Sequence, residues 1–110
     1  MGLFGEMYFS AEAYKIALDI NEHVKIVYRI MAPYGNLITP ANAKAVRPEV
    51  AIIQEKLNEL ERKANNCSPS RVVYIKVPTP DGYEISIVPY IAQMRNGIEL
   101  MQADLRKCLE

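Results

Sequence analysis

The chain contains 110 residues, of which 50% are hydrophobic, and its thirteen basic and thirteen acidic residues give a formal net charge of zero. This length and apolar content predict a single domain over residues 1–110 with its own core. Zero net charge excludes the whole-molecule electrostatic attraction on which most binders of nucleic acids and membrane surfaces depend. No segment approaches the ~20 consecutive apolar residues of a membrane span, and no signal-peptide pattern is present. We therefore expect a cytoplasmic protein that does not contact membranes.

The first nine residues are too apolar for a solvated terminus, so we expect them to pack on the domain or to reach a neighbour. Their large apolar side chains are Leu3, Phe4, Met7, Tyr8 and Phe9. Ser10 is a favourable N-cap, which predicts a first helix over residues 10–32 that ends before Pro33 and Gly35. Apolar residues recur along this helix at spacings of three and four, as is typical of a helix that buries a wide stripe.

Residues 33–47 form the least regular part of the chain. A Thr-Pro pair at positions 39 and 40 combines an N-cap with a proline at the first helical position, which predicts a short helical turn over residues 41–45. By the same logic Pro48 begins a second amphipathic helix, over residues 48–65.

A third amphipathic helix is predicted over residues 89–109, beginning at Pro89. Its weak point is Asn96-Gly97, because this dipeptide favours turns and glycine within a helix costs about 1 kcal/mol. The apolar stripe keeps its phase across the glycine, so we expect a continuous helix.

Residues 71–88 alternate between apolar and polar and predict an amphipathic β-hairpin, which makes the fold α+β with the hairpin between helices 2 and 3. Facing residues must lie on the same side, so paired positions must sum to an even number, which excludes a two-residue Asp81-Gly82 turn. We expect a five-residue loop with Lys76 opposite Glu84, a favourable pair of opposite charges. The predicted inner face consists of Val73, Ile75, Val77, Tyr83, Ile85 and Ile87.

A two-stranded hairpin is marginally stable alone, so its apolar face must be covered by helices, by a second copy or by a partner. The outer face is half apolar, and we expect it to contact a second subunit. The candidate interface combines this face with the apolar N-terminus: Val72, Tyr74, Val88, Leu3, Phe4, Tyr8 and Phe9. A homodimer would join identical patches through helices or hairpins. Alternatively, a monomer buries the same apolar surface in its own core.

Little in the sequence predicts catalysis. His23 is the only histidine, and we interpret its pairing with Asp19, four residues earlier, as helix-surface hydrogen bonding rather than part of a catalytic site. No metal-binding spacing and no glycine-rich phosphate loop occur, so we expect no metal, no cofactor and no enzyme activity. Cys67 and Cys108 lie too far apart for a disulfide if the last helix is straight, so we expect thiols.

The leading functional hypothesis is a non-enzymatic protein–protein interaction module that acts as a homo-oligomeric adaptor, inhibitor or accessory factor. The first alternative is a small DNA-associated regulator that uses the basic side of the hairpin. Its candidate contacts are Arg62, Lys63, Arg71 and Lys76. The second alternative is a small-ligand sensor with a pocket between helix 1 and residues 33–48.

Overall fold

The computed structural model of the protein describes the backbone of residues 3–109 and the side chains of residues 9–109. Over these residues the chain forms four helices and one antiparallel hairpin, which confirms the predicted α+β class. The elements in order are α1 (Leu3–Met31), α2 (Ala43–Asn65), the one-turn α3 (Pro69–Val72), β1 (Lys76–Pro78), β2 (Glu84–Ser86) and α4 (Ile87–Leu109). A 3-10 turn, Ala32–Tyr34, follows α1.

Helix α2 lies at the centre, with α1 packed on one side and α4 on the other. The hairpin fills the space between α1 and α4, because β1 contacts α1 and both strands contact α4. The radius of gyration, 15.2 Å, exceeds the value of about 13 Å expected for a compact domain of this length. The molecule is therefore elongated, and the two ends of the α2–α4 interface lie well apart.

The apolar stripes of the three long helices face one another within a single chain. Their buried members form a continuous core with the hairpin, and each fully buried leucine or isoleucine contributes about 1.5–3 kcal/mol. The fully buried large side chains are Tyr90, Ile20, Ile53, Leu57, Leu60, Ile87, Val27, Val46 and Val77. Because the chain covers these stripes itself, the helices require no second subunit to bury them.

Helix α1 begins earlier than predicted. It starts at Leu3, so Ser10 lies inside the helix and does not cap it. The reason is visible in the spacing of the stripe: Phe9 is buried and lies four residues before the buried Ala13. The side chain of Phe9 therefore extends the buried stripe by one turn.

Helix α2 also begins earlier than predicted, at Ala43, with Pro48 inside it. The predicted short turn thus merges with the helix. Asn42 fixes this boundary because its side-chain Oδ1 accepts a hydrogen bond from the Thr39 N–H at 2.8 Å, and its Nδ2 donates to the Leu37 carbonyl at 2.9 Å. These local bonds close the linker and outweigh the preference of proline for the first turn of a helix.

The other ends of the elements also differ in detail. Helix α4 begins at Ile87, two residues before Pro89, and runs unbroken through Asn96-Gly97, as predicted. The hairpin is shorter than residues 71–88, because the Ser68 carbonyl accepts hydrogen bonds that start a helical turn instead of a strand.

The observed hairpin register confirms that paired positions sum to an even number, but Lys76 does not lie opposite Glu84 as predicted. The paired positions are Lys76 with Ser86, Val77 with Ile85, and Pro78 with Glu84. The tip is closed by the Thr79 N–H, which donates to the Tyr83 carbonyl at 2.8 Å. Hydrogen-bonded pairs alternate with non-bonded ones along an antiparallel ladder, so Pro78 falls at a non-bonded position where its missing N–H costs nothing.

The inner face of the hairpin is smaller than predicted. Ile75, Val77 and Ile87 are buried, whereas Val73 and Tyr83 are 45% and 58% exposed. Val73 follows the helical turn α3 instead of lying in a strand, and Tyr83 belongs to the loop.

Candidate functional site

A buried polar cluster fixes the position of the hairpin. Asn21 of α1 donates through Nδ2 to the Pro78 carbonyl at 2.8 Å, and its Oδ1 accepts from the Tyr90 hydroxyl at 2.8 Å. That hydroxyl also lies 3.3 Å from the Ala17 carbonyl oxygen. Burial raises the pKa of Tyr90, so the phenol remains a neutral donor. The cluster joins α1, β1 and α4 at one point and specifies a single orientation of the hairpin.

A first groove, which we name the hairpin-side groove, lies between α2, α3 and the first half of α4. Its volume is about 390 Å³. It is lined by Glu61, Ala64, Asn65, Val72, Val88, Ile91, Ala92, Arg95, Asn96 and Glu99. The cation at its rim is held in place: Arg95 donates to Glu61 at 2.9 Å and to Asn58 at 2.8 Å.

Exposed apolar side chains accompany this groove. Val88, one of its lining residues, is 48% exposed, and Tyr74, two positions after the lining residue Val72, is 79% exposed. Val73, next to Tyr74 in the chain, is also exposed. A protruding aromatic residue close to an apolar depression is typical of surfaces that bind other proteins.

The structure divides the predicted interface residues into three groups. Tyr74 and Val88 are exposed, as an interface requires. Val72 and Phe9 are buried within the single chain, so neither is an exposed contact, although Val72 lines the hairpin-side groove. The predicted contacts Leu3, Phe4 and Tyr8 lie outside the described side chains.

The predicted nucleic-acid contacts come from three different elements, α2, α3 and β1. Lys63 forms ion pairs with Glu12 of α1 and, at 3.8 Å, with Glu59 of its own helix. Arg62, Arg71 and Lys76 are exposed. Because Lys63 is neutralised, this stretch of α2 is less basic than its sequence indicates, and nucleic-acid binding stays a prediction.

A second groove, which we name the arginine groove, lies at the opposite end of the α2–α4 interface. It has a volume of about 540 Å³. It is lined by Arg47, Val50, Ala51, Gln54, Gln102, Leu105, Arg106 and Leu109. The amide of Gln102 donates to that of Gln54 at 2.6 Å and ties the two helices together at the inner end.

Both grooves lie along α2 and α4 rather than between α1 and residues 33–48, where the ligand-sensor hypothesis placed its pocket. The linker is instead held against the end of α4, where the Cys108 thiol donates to the Ile38 carbonyl at 3.6 Å. Cys67 and Cys108 are thiols, as predicted.

His23 pairs across helices and not with Asp19 as predicted. Its Nδ1 lies 2.5 Å from Glu49 Oε2 on α2, while Asp19 lies 3.5 Å from the Lys56 Nζ. The His23–Glu49 pair and the Asp19–Lys56 pair each join α1 to α2. The histidine therefore belongs to a set of contacts between these two helices. Among residues 9–109, no group of three or more His, Cys, Asp and Glu side chains is placed to hold a metal ion.

None of the helices in the described part of the chain combines the length and apolarity needed to cross a bilayer. Comparison of the chain with protein-family models, with curated proteins and with solved structures found no match.

Proposed function

We propose that the protein is a non-enzymatic interaction module that forms a homodimer through the hairpin-side groove and acts on another protein as an adaptor, inhibitor or accessory factor. The observation that carries the proposal is the exposure of Tyr74 and Val88, which flank the Ile75–Ile87 hydrogen bond at the base of the hairpin, while the helix stripes are buried within the chain. Exposed apolar side chains beside an apolar groove favour association.

The shape of the surface supports pairing with itself. A two-fold interface must be self-complementary, so one patch has to contain both a protrusion and a depression. Tyr74 supplies the protrusion, and the floor formed by Ala64, Val72 and Ile91 supplies the depression. Tyrosine is enriched among the residues that dominate binding energy, because its ring buries a large area at little entropic cost.

Charge does not oppose this association. The net charge of zero leaves little long-range repulsion between copies. At the groove itself, Arg95 is paired with Glu61. A standard interface buries about 800 Å² per partner, roughly an eighth of the 6789 Å² of accessible surface.

Sedimentation velocity at low and high micromolar concentration tests the proposal. The wild-type mass rises toward that of a dimer, and the double variant Tyr74→Ser/Val88→Ser stays monomeric at both concentrations. Leu100→Ser is the matched control, because Leu100 is 62% exposed on α4 but does not line the groove. A wild-type protein that stays monomeric, or a double variant that dimerises like the wild type, contradicts the proposal.

A further inference from the structure

Cations that face a neighbouring helix in this protein generally have a carboxylate partner. On the α1–α2 interface, Lys56 Nζ lies 3.5 Å from Asp19. On the α2–α4 interface, Arg95 Nη2 lies 2.9 Å from Glu61. These pairs neutralise the flanks of α2 where it meets each neighbour, so a cation without a partner on such a flank requires another explanation.

Arg47 and Arg106 are such cations. They lie on α2 and α4 and line the arginine groove together. Within residues 9–109, neither guanidinium has a hydrogen bond or an ion pair, and none of the described lining residues of the groove is acidic. Glu110, four positions after Arg106, lies outside the described residues. Two positive charges that share one concave surface repel each other, and an anion between them relieves that repulsion.

Helix stability accounts for one of these arginines but not for the other. Arg106 lies in the last turn of α4, where the helix dipole favours a positive charge. Arg47 lies near the start of α2, whose first turn holds Lys44 and no acidic residue. The dipole disfavours cations at that end, and the residues three and four positions from Arg47 include no carboxylate that could offset its charge.

Apart from the two arginines and the Gln54–Gln102 pair, the lining of the groove is apolar. Val50 and Leu105 are buried at its floor, and Leu109 is 38% exposed at its edge. The groove is open to solvent along its length, unlike the enclosed sites that surround most of a small ligand. Its walls span residues 47–54 and 102–109, each about 10 Å long at 1.5 Å per residue, which matches two turns of a helix.

We propose that the arginine groove binds an acidic, amphipathic segment of a partner protein. Carboxylates of that segment bond to Arg47 and Arg106, and its apolar side chains pack on Val50, Leu105 and Leu109. Arginine suits this role because its planar guanidinium matches a carboxylate with two parallel hydrogen bonds. This partner is a different protein and not a second copy of the chain. Its binding site, the arginine groove, is separate from the hairpin-side groove, so either proposal can fail while the other stands.

Fluorescence anisotropy with the full-length protein tests this proposal. The probes are fluorescein-labelled amphipathic peptides with leucine on one face and glutamate on the other, in several spacings. Each has a counterpart with glutamine in place of glutamate. We expect the glutamate peptides to bind more tightly than their glutamine counterparts and to lose affinity with added salt.

The double variant Arg47→Gln/Arg106→Gln should weaken binding of the glutamate peptides by roughly tenfold or more, because charge-assisted bonds are lost. Arg62→Gln is the matched control, since Arg62 is an exposed arginine of α2 that does not line the groove. This control should bind like the wild type. Circular dichroism confirms that both variants are folded.

Several results overturn the proposal. Equal affinity for the two peptide series shows that charge is not recognised, and absence of binding to either shows that the groove does not take such a segment. Unchanged affinity of the double variant places binding elsewhere. Loss of dimerisation in the double variant identifies a second copy as the occupant. Binding of decanoate without binding of the peptides identifies a fatty-acid site.

Discussion

The two ends of the α2–α4 interface use arginine in different ways. At the hairpin-side groove, Arg95 is fixed by Glu61 and Asn58 on the opposing helix. At the arginine groove, Arg47 and Arg106 have no partner among residues 9–109. The same side chain therefore joins two helices at one end and is free to bind a ligand at the other.

Net charge does not describe either end. The chain is neutral as a whole, and carboxylates pair with cations at the α1–α2 contacts and with Arg95 at the hairpin-side groove. The described lining of the arginine groove, in contrast, holds two arginines and no carboxylate. Local charge, and not net charge, decides which partner each surface fits.

The largest effect is expected from a change that damages both ends at once. Leu57 is fully buried near the middle of α2, so Leu57→Ala leaves a cavity between the helices that form both grooves. We expect a loss of about 3 kcal/mol in the free energy of unfolding, measured by urea denaturation. A loss below about 1 kcal/mol would show that α2 is not central to the core.

A change in the polar cluster should damage one end only. Asn21→Ala leaves the Pro78 carbonyl without its buried donor and the Tyr90 hydroxyl with only the longer contact to the Ala17 carbonyl, at a cost of about 2–3 kcal/mol. Amide hydrogen exchange should accelerate in the hairpin but change little over residues 102–109. Tyr90→Phe, which removes one hydroxyl, is the milder control. Uniform acceleration throughout the chain would mean that the cluster does not act locally on the hairpin.

The smallest expected effect on stability distinguishes Arg95, which is paired, from Arg47, which is not. Arg95→Gln loses an ion pair that is partly exposed, so we expect about 0.5–1 kcal/mol of destabilisation in urea. Arg47→Gln loses no partner and should change stability by less than about 0.5 kcal/mol. Equal destabilisation by the two substitutions would remove the distinction between a structural and an unpaired arginine.

The parts of the fold that depend on local periodicity could be predicted from the sequence. The spacing of apolar residues predicted three long helices and the continuity of the last one across Gly97. The alternation of side chains predicted that paired strand positions have an even sum. These features follow from rules that act over a few neighbouring residues.

What escaped prediction depends on particular hydrogen bonds, one of which joins residues far apart in the sequence. Several strand registers have paired positions that sum to an even number. The Thr79–Tyr83 hydrogen bond and the Asn21 contact with Pro78 select one of them. The early start of α2 follows from Asn42. An asparagine beside the apolar stripe of α1 was the only local sign of the buried cluster.

The arginine groove was missed for a similar reason. Arg47 and Arg106 belong to helices separated by the whole hairpin, and each is an ordinary surface residue in its own segment. Their significance appears only when α4 packs on α2 and when the positions of the carboxylates are known. A sequence pattern carries neither fact.

The difference between the two ends is tested most directly by following backbone amide NMR signals while a glutamate–leucine peptide is added to the full-length protein. The account predicts shifts concentrated in residues 47–54 and 102–109, with residues 61–65 and 88–99 unchanged. Shifts concentrated in the second set, or none in the first, would contradict it.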